Sequence, residues 1–152
     1  MYFLKSNGHI DPEIYNGGKN ILDFGAGVGG STIFFKNSLR NNVTAVDLSE
    51  ISLECLKNKN IPAESIIVGD GIKLMKNTDN NTYDLVFALM LGPTSDKNFV
   101  SSFLSEATRI IKNNGKIIVF SDCGTMNYFN GNGEKIIPPS YIGGVAYVAS
   151  KN

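Results

Sequence analysis

Apolar segments of strand length alternate along the chain with segments of helical periodicity. Five of these apolar segments are nearly continuous, with few polar interruptions, at residues 20–24, 43–47, 65–70, 83–88 and 116–121. Near-continuous apolar strands are typical of a parallel sheet that is buried on both faces. The pattern therefore predicts a central parallel sheet that is covered by helices.

The segments between these strands have helical spacing at residues 31–39, 49–56 and 99–111. Ser49 stands where it can cap the second of these helices. The succession of strands and helices predicts an α/β fold, namely a doubly wound, mostly parallel Rossmann-like sheet with helices on both faces. Residues 144–149 predict a last strand, which we expect to run antiparallel at the C-terminal edge of the sheet.

Length and charge narrow the classes of function. The chain has 152 residues, of which 42% are hydrophobic, and we expect residues 1–152 to form one domain. Fourteen Lys and Arg residues balance fourteen Asp and Glu residues, and no dense basic run is present. Because phosphate contacts dominate the affinity of nucleic-acid binders, this balance disfavours a nucleic-acid partner.

The cysteines and the apolar runs indicate whether the chain has disulfides, a metal site or a membrane segment. Cys55 and Cys123 are far apart and lack CxxC spacing, so we expect two reduced thiols rather than a disulfide or a metal site. The first residues do not have the pattern of a signal peptide. The longest apolar run, residues 85–91, is far shorter than the ~20 residues that span a bilayer. We predict a cytoplasmic protein without a membrane segment.

The segment at residues 23–32, with the sequence DFGAGVGGST, lies where the first strand turns into the first helix. Glycines at this point allow a tight turn and let a ligand approach the backbone closely. Ligands of open α/β sheets bind outside the carboxyl ends of the strands. The segment therefore predicts a ligand site rather than a glycine-rich turn alone.

Two glycine patterns overlap in this segment. Gly25, Gly27 and Gly30 satisfy the dinucleotide pattern GxGxxG, whereas the pattern DxGxGxG also includes Asp23 and Gly29. A carboxylate at the strand end is unfavourable for a pyrophosphate, which prefers a bare helix N-terminus. It is favourable for an ammonium group. Asp23 therefore favours a nucleoside that bears an amino acid.

Asp47 ends the second strand, and it follows Gly25 by 22 positions (47 − 25). A carboxylate about 20 residues beyond the glycine turn can accept hydrogen bonds from ribose hydroxyls. The alternative, a cap of the next helix, is weaker because Ser49 is better placed for it. Asp47 is thus a candidate ribose ligand.

With these motifs the sequence resembles the class I S-adenosylmethionine-dependent methyltransferases over residues 20–120. The matching segments are residues 21–29, 43–49, 69–71, 83–86 and 109–116, in the order and at the spacings of that family. The resemblance implies the cofactor S-adenosylmethionine. The cofactor-binding residues that it implies are Asp23, Gly25, Ala26, Gly27, Asp47, Leu48, Asp70, Gly71, Ile72, Ala88 and Leu89.

The resemblance also implies roles for these residues. Asp23 would contact the methionine amino group, directly or through water, and the glycines would let the cofactor pass over the turn. Asp70 would bind the adenine edge together with the backbone of residues 71–72; its alternative is a capping carboxylate in a glycine-flanked turn. Ala88 and Leu89, expected just beyond the fourth strand, would border the sulfonium and the acceptor.

The acceptor is less well defined by the sequence. Residues 88–93, ALMLGP, lack the Asn/Asp-Pro-Pro-aromatic motif common in methyltransferases that act on base or amide nitrogens. This favours a small-molecule acceptor. No catalytic residue is assigned, because methyl transfer needs a base only when the acceptor must lose a proton. His9 is expected in an exposed loop, and Tyr128 and Tyr141 are either substrate contacts or packing residues.

Three functions remain open at this stage. The first is a methyltransferase for a small molecule. The second is a partner or sensor protein that binds the cofactor without turnover. The third, an NAD-dependent oxidoreductase, is disfavoured by Asp23 and by the lack of a recognisable proton-donor set. Both ends of the chain are short for the family, so a homo-oligomer or a partner subunit is a candidate source of the acceptor lid.

Overall fold

The computed structural model describes residues 12–57, 59, 61–91, 96–122, 126–129, 133–136 and 144–151. The strands are β1 (Asn20–Phe24), β2 (Asn42–Asp47), β3 (Ile66–Val68), β4 (Tyr83–Leu91), β5 (Ile111–Asp122), β6 (Glu134–Ile136) and β7 (Gly144–Ser150). The helices are α1 (Gly30–Ile33), α2 (Glu50–Lys57), α3 (Gly71–Lys76) and α4 (Lys97–Ile110). A π-helical turn, Phe34–Ser38, continues α1, and 3₁₀ turns lie at Pro12–Asn16 and Ala63–Ser65.

The described strands form one sheet in the order β3-β2-β1-β4-β5-β7-β6. Strands β1 to β5 pair in parallel, whereas β7 pairs antiparallel with both β5 and β6. The predicted α/β sheet is therefore confirmed, including its antiparallel C-terminal strand. That strand lies one place in from the edge, because the three-residue β6 pairs with its outer side.

Side chains of the central strands alternate between two apolar layers. Leu22 and Val86 face one layer together with Phe103 of α4, and Ile21 and Leu85 face the other. The second layer contains Phe35 from the turn after α1. All these side chains are buried, which explains why the strand segments are apolar throughout rather than at every second position.

The boundaries differ from the sequence prediction in several places. Strand β5 begins at Ile111, which pairs with Tyr83, so the expectation that residue 111 ends a helix and that the strand begins at residue 116 is wrong. Strand β3 is limited to Ile66–Val68.

Strand β4 extends to Leu91 because its pairing with β5 continues to Ser121. Helix α1 gives way after Ile33 to the π-helical turn. Helix α3 was missed; it has six residues, too few for a periodic pattern, and begins at the cap Asp70.

Cationic side chains form contacts at the side of the sheet where the parallel strands begin, which we call its amino-terminal edge; the side where these strands end is its carboxyl-terminal edge. Arg109 donates from Nη2 to Met75 O at 2.5 Å and from Nη1 to Thr78 O at 2.8 Å, which satisfies carbonyls at the end of α3. Lys112 Nζ lies 2.8 Å from Asp84 Oδ2, which also accepts from the backbone N–H of Asn20 at 2.8 Å. Side-chain groups thus pair with one another or with the backbone at this edge.

Candidate functional site

The glycine turn after β1 is bonded to the end of β2. The backbone N–H groups of Gly25 and Ala26 both donate to Val46 O, at 2.8 and 3.0 Å, and that of Gly27 donates to Asp47 Oδ2 at 2.9 Å. Gly25 and Gly27 have φ of +69° and +54°, a region that L side chains rarely adopt. The turn is therefore fixed at the carboxyl-terminal edge of the sheet.

The glycines of this turn serve two different needs. A Cβ added at Gly25 or Gly27 would have no neighbour within 4 Å, so open space lies on that side of the backbone. At Gly29 an added Cβ would lie 2.0 Å from Leu56 Cδ2, so this glycine allows α2 to pack against the turn. The first two glycines form an open cradle, and the third is required by packing.

Asp23, two positions before Gly25, is fully buried. Its Oδ2 accepts from Thr32 Oγ1 at 2.5 Å and from Ser31 Oγ at 2.7 Å. Within the described residues, its Oδ1 is buried and has no hydrogen-bond partner. An unmet buried carboxylate oxygen is costly, so this atom is suited to a donor from a ligand.

The protonation of Asp23 is set by opposing effects. Burial raises the pKa of its carboxyl above the usual range, and the hydroxyls of Thr32 and Ser31, together with the backbone N–H of Thr32, oppose the rise. The nearby negative charge of Asp47 raises the pKa further. A cationic ligand group beside Asp23 would favour its charged form.

Asp47 lies at the end of β2, half-buried, with both oxygens in use. Oδ2 accepts from Gly27 N–H, and Oδ1 accepts from the backbone N–H of Ser49 at 2.8 Å. Ser49 Oγ in turn accepts from Ser52 N–H at 3.2 Å, which confirms the predicted cap of α2. Leu48, between them, is 78% exposed. The site thus places a carboxylate beside an exposed apolar side chain.

Asp70 follows β3 and caps α3. Its Oδ1 accepts from the N–H groups of Ile72 at 2.8 Å and Lys73 at 3.3 Å. A Cβ at Gly71 would lie 2.4 Å from the Phe24 ring, so only glycine lets α3 begin this close to the end of β1. The capping function weighed as the alternative for Asp70 is therefore present, and Oδ2 accepts no hydrogen bond from any described residue.

Ala88 and Leu89 lie within β4, so the expectation that they follow the strand is wrong. Ala88 is buried opposite Phe24, the last residue of β1. Leu89 pairs with Phe120 and is 41% exposed. Because β4 continues to Leu91, its last residues project past the end of β1, next to the glycine turn.

A family model described as a methyltransferase domain matches residues 22–119, more than half of the chain. The chain belongs to this methyltransferase family. The matched span begins in β1 and ends in β5, so it includes the glycine turn, Asp47, Asp70 and Ala88. The resemblance to the class I S-adenosylmethionine-dependent methyltransferases is thereby confirmed. A search of curated proteins finds no match.

Solved structures similar to this methyltransferase domain include two of nearly the same extent. PH0226 from Pyrococcus horikoshii is 16% identical, with a TM-score of 0.75 over 99% of this chain and 89% of that one. A putative rRNA-methylase from Clostridium thermocellum is 14% identical, with a TM-score of 0.72 over 97% of both chains. At these identities the likeness shows the fold alone.

A third similar structure is a phosphoethanolamine N-methyltransferase from Haemonchus contortus, in complex with phosphoethanolamine and S-adenosylhomocysteine. It is 27% identical, with a TM-score of 0.60. The match covers 70% of this chain but 22% of the longer protein. The two chains therefore correspond over a part of that enzyme only.

Several residues discussed from the sequence are not part of the geometry described above. His9, Tyr141 and Cys123 lie outside the described residues, while Tyr128 and Cys55 are exposed. The described residues contain no cluster of three metal-ligating side chains, and none of their helices has the length and apolar character to cross a membrane.

Ser31 and Thr32 were missed by sequence reasoning about this methyltransferase domain. Both hydroxyls bond to Asp23, although they follow it by eight and nine positions. Their position in the first turn after the glycines was the available signal, since hydroxyl side chains there can reach back to the end of the preceding strand.

Proposed function

We propose that this chain binds S-adenosylmethionine at the carboxyl-terminal edge of the sheet and transfers its methyl group to a small-molecule acceptor. The observation that supports this most is the buried Oδ1 of Asp23, which no described residue satisfies, two positions before a glycine turn that has open space beside its backbone. A ligand with a cationic donor fits both features. The family supplies the class of ligand.

The amino-acid end of the cofactor fits Asp23. An ammonium group has three donors and no acceptor, so it can supply the hydrogen bond that Oδ1 lacks, directly or through one water. The open space at Gly25 and Gly27 leaves room for this part of the ligand to cross the backbone. Ala26, whose N–H is bonded to Val46 O, keeps the cradle in place.

The nucleoside end fits Asp47 and Asp70. Each oxygen of Asp47 uses one lone pair on a backbone donor, so each can still accept from a ribose hydroxyl. Leu48 offers an exposed apolar surface to the adenine ring. Asp70 Oδ2, which accepts no hydrogen bond from the described residues, is suited to the adenine edge, whereas the N–H of Ile72 is already bonded to the cap.

The bound cofactor would supply a methyl group activated on a sulfonium. The chain has to hold the acceptor in line with that group and exclude water, and such alignment contributes ~7–11 kcal/mol in favourable systems. Buried Ala88 and half-exposed Leu89, on the projecting end of β4, are suited to bordering this region without adding charge. We assign no base to the reaction.

A small-molecule acceptor is favoured over RNA by charge. The chain carries no net charge, whereas binding RNA requires basic contacts to phosphates. Likeness does not separate the two acceptor classes, since similar structures include an enzyme bound to phosphoethanolamine, 27% identical, and an rRNA methyltransferase from T. thermophilus bound to AdoMet and guanosine, 21% identical.

Methyl transfer from radiolabelled S-adenosylmethionine tests the proposal. The whole protein is incubated with a metabolite extract and, separately, with total RNA, and label is measured in each product fraction. We expect label in small molecules and none in RNA. Label in RNA would overturn the acceptor class. Cofactor binding with no transfer to either pool, also after addition of a lysate that supplies partner subunits, would favour a non-catalytic binding protein.

A further inference from the structure

Asp23 is not held symmetrically. Both of its side-chain hydrogen bonds fall on Oδ2, from Thr32 Oγ1 at 2.5 Å and Ser31 Oγ at 2.7 Å, and Oδ1 receives none from the described residues. Turning the carboxylate about its Cβ–Cγ bond would have to break both bonds. The two hydroxyls therefore fix the orientation of the carboxylate, and with it the direction of the oxygen that has no donor.

Thr32 is the more constrained of the two donors. It is fully buried, whereas Ser31 is half-buried. A threonine hydroxyl inside a helix often bonds to the carbonyl four residues earlier. Here its proton goes to Asp23 instead, so that α1 is tied by its side chains to the end of β1.

We propose that Thr32, assisted by Ser31, is a positioning residue that keeps Oδ1 of Asp23 directed to the ammonium group of the cofactor. The inference rests on the proposed function, because it concerns the same site. It assigns Thr32 a role in selecting ligands that have an amino-acid moiety. Packing of α1 alone would not produce such selectivity.

Two nucleoside probes separate this role from general packing. S-adenosylhomocysteine has adenine, ribose and the amino-acid moiety, whereas methylthioadenosine has adenine and ribose with a methyl group in place of that moiety. Loss of Asp23 positioning weakens binding of the first probe only. Distortion of the whole site weakens both. The ratio of the two dissociation constants therefore reports on Asp23.

Three variants make the test specific. In Thr32→Val the hydroxyl is replaced by a methyl group of similar size, in Thr32→Ser the hydroxyl is kept, and in Ser31→Ala the weaker donor is removed. By calorimetry we expect Thr32→Val to bind S-adenosylhomocysteine about tenfold more weakly and methylthioadenosine within twofold of the wild type. Thr32→Ser should restore most of the difference, and Ser31→Ala should show a smaller loss of the same kind.

A pH series provides a second readout. Asp47 is the other titratable group that acts on Asp23, and methylthioadenosine binding monitors Asp47 because that probe has the ribose. The hydroxyl bonds lower the pKa of Asp23, so their removal should move the weakening of S-adenosylhomocysteine binding to higher pH. Methylthioadenosine binding should not move.

The outcomes separate the two hypotheses. If the wild type binds neither probe, the proposed function itself is wrong. If the wild type prefers S-adenosylhomocysteine and Thr32→Val weakens both probes equally, or neither, the positioning role is wrong while the site stands. Should Thr32→Val fail to fold, Ser31→Ala decides: an unchanged ratio of dissociation constants in that variant contradicts the proposal.

Discussion

At the amino-terminal edge of the sheet, Arg109 and Lys112 pair with carbonyl and carboxylate oxygens at 2.5–2.8 Å. At the carboxyl-terminal edge, a fully buried carboxylate oxygen of Asp23 has no donor among the described residues. Large apolar side chains near this second edge, including Leu48 and Ile51, are about four-fifths exposed. Polar side chains at the amino-terminal edge are thus paired, whereas the carboxyl-terminal edge has a buried oxygen without a donor and exposed apolar side chains.

This difference indicates which residues stabilise the fold and which ones are available to bind a ligand. Groups that are satisfied within the chain contribute to the free energy of unfolding. Groups left unsatisfied lower that free energy, and they are tolerated where a ligand completes them. Substitutions at the two edges should therefore change different measured quantities.

The largest expected effect concerns Arg109. In Arg109→Ala, Thr78 O loses its side-chain donor and Met75 O keeps only the backbone N–H of Thr78, so the free energy of unfolding in urea should fall by about 3 kcal/mol. Lys57→Ala, at an exposed position, is the control and should change the free energy of unfolding by less than about 0.5 kcal/mol. Affinity of the folded protein for S-adenosylhomocysteine should stay within twofold. A large loss of affinity in Arg109→Ala would contradict the view that residues of the amino-terminal edge do not affect ligand binding.

Asp47 and Asp84 form a matched pair of carboxylates, one at each edge. Asp47→Ala should weaken S-adenosylhomocysteine binding by about 1–3 kcal/mol, because ribose hydroxyls and the N–H of Gly27 lose their acceptor. Asp84→Ala should lower stability and leave calorimetric affinity unchanged. Unaltered affinity in Asp47→Ala would refute its role with the ribose.

Gly25 and Gly18 provide a smaller and cleaner comparison. Their φ values are +69° and +76°, and an added Cβ at either has no neighbour within 4 Å. Replacement by Ala should therefore cost both about 1–2 kcal/mol of stability from backbone strain alone. Only Gly25→Ala puts a methyl group into the cradle, so only that variant should bind S-adenosylhomocysteine about tenfold more weakly than the wild type. Equal affinities in calorimetry would show that the ligand does not cross this turn.

The smallest expected effect is a dependence on pH. Because the pKa of Asp23 is raised in the folded protein, the free chain loses stability as pH rises from the ordinary carboxyl value through that raised pKa. A cationic ligand favours the ionised carboxyl, so stabilisation by S-adenosylhomocysteine in thermal unfolding should increase over the same window. In Asp23→Asn this increase should disappear. An identical pH profile in wild type and Asp23→Asn would exclude Asp23 from ligand binding.

The sheet was predictable because its signal is repeated along the chain. Five near-continuous apolar segments correspond to β1 to β5, and β1 matches its predicted bounds at Asn20–Phe24. Helix α3 and strand β6 have six and three residues, and their formation depends on the Asp70 cap and on pairing with β7. Such short elements are decided by tertiary contacts, which a local pattern does not contain.

The candidate site was predictable as residue positions but not as hydrogen bonds. The spacing of Asp23 and Asp47 placed both at strand ends, as the structure has them. The hydrogen-bond partners of Asp23 are on α1, eight and nine residues later. These hydrogen bonds form only because α1 packs next to the end of β1. The sequence did not show that one oxygen would be bonded twice and the other not at all.

The most direct test of the account is a titration of the whole protein with S-adenosylhomocysteine, followed by the NMR shifts of backbone amides. We predict saturable shifts that are largest at Gly25, Gly27 and Ser49 on the carboxyl-terminal edge, with the amide of Lys112 unmoved. No saturable shift, or shifts centred on the amino-terminal edge, would contradict the assignment of the cofactor site.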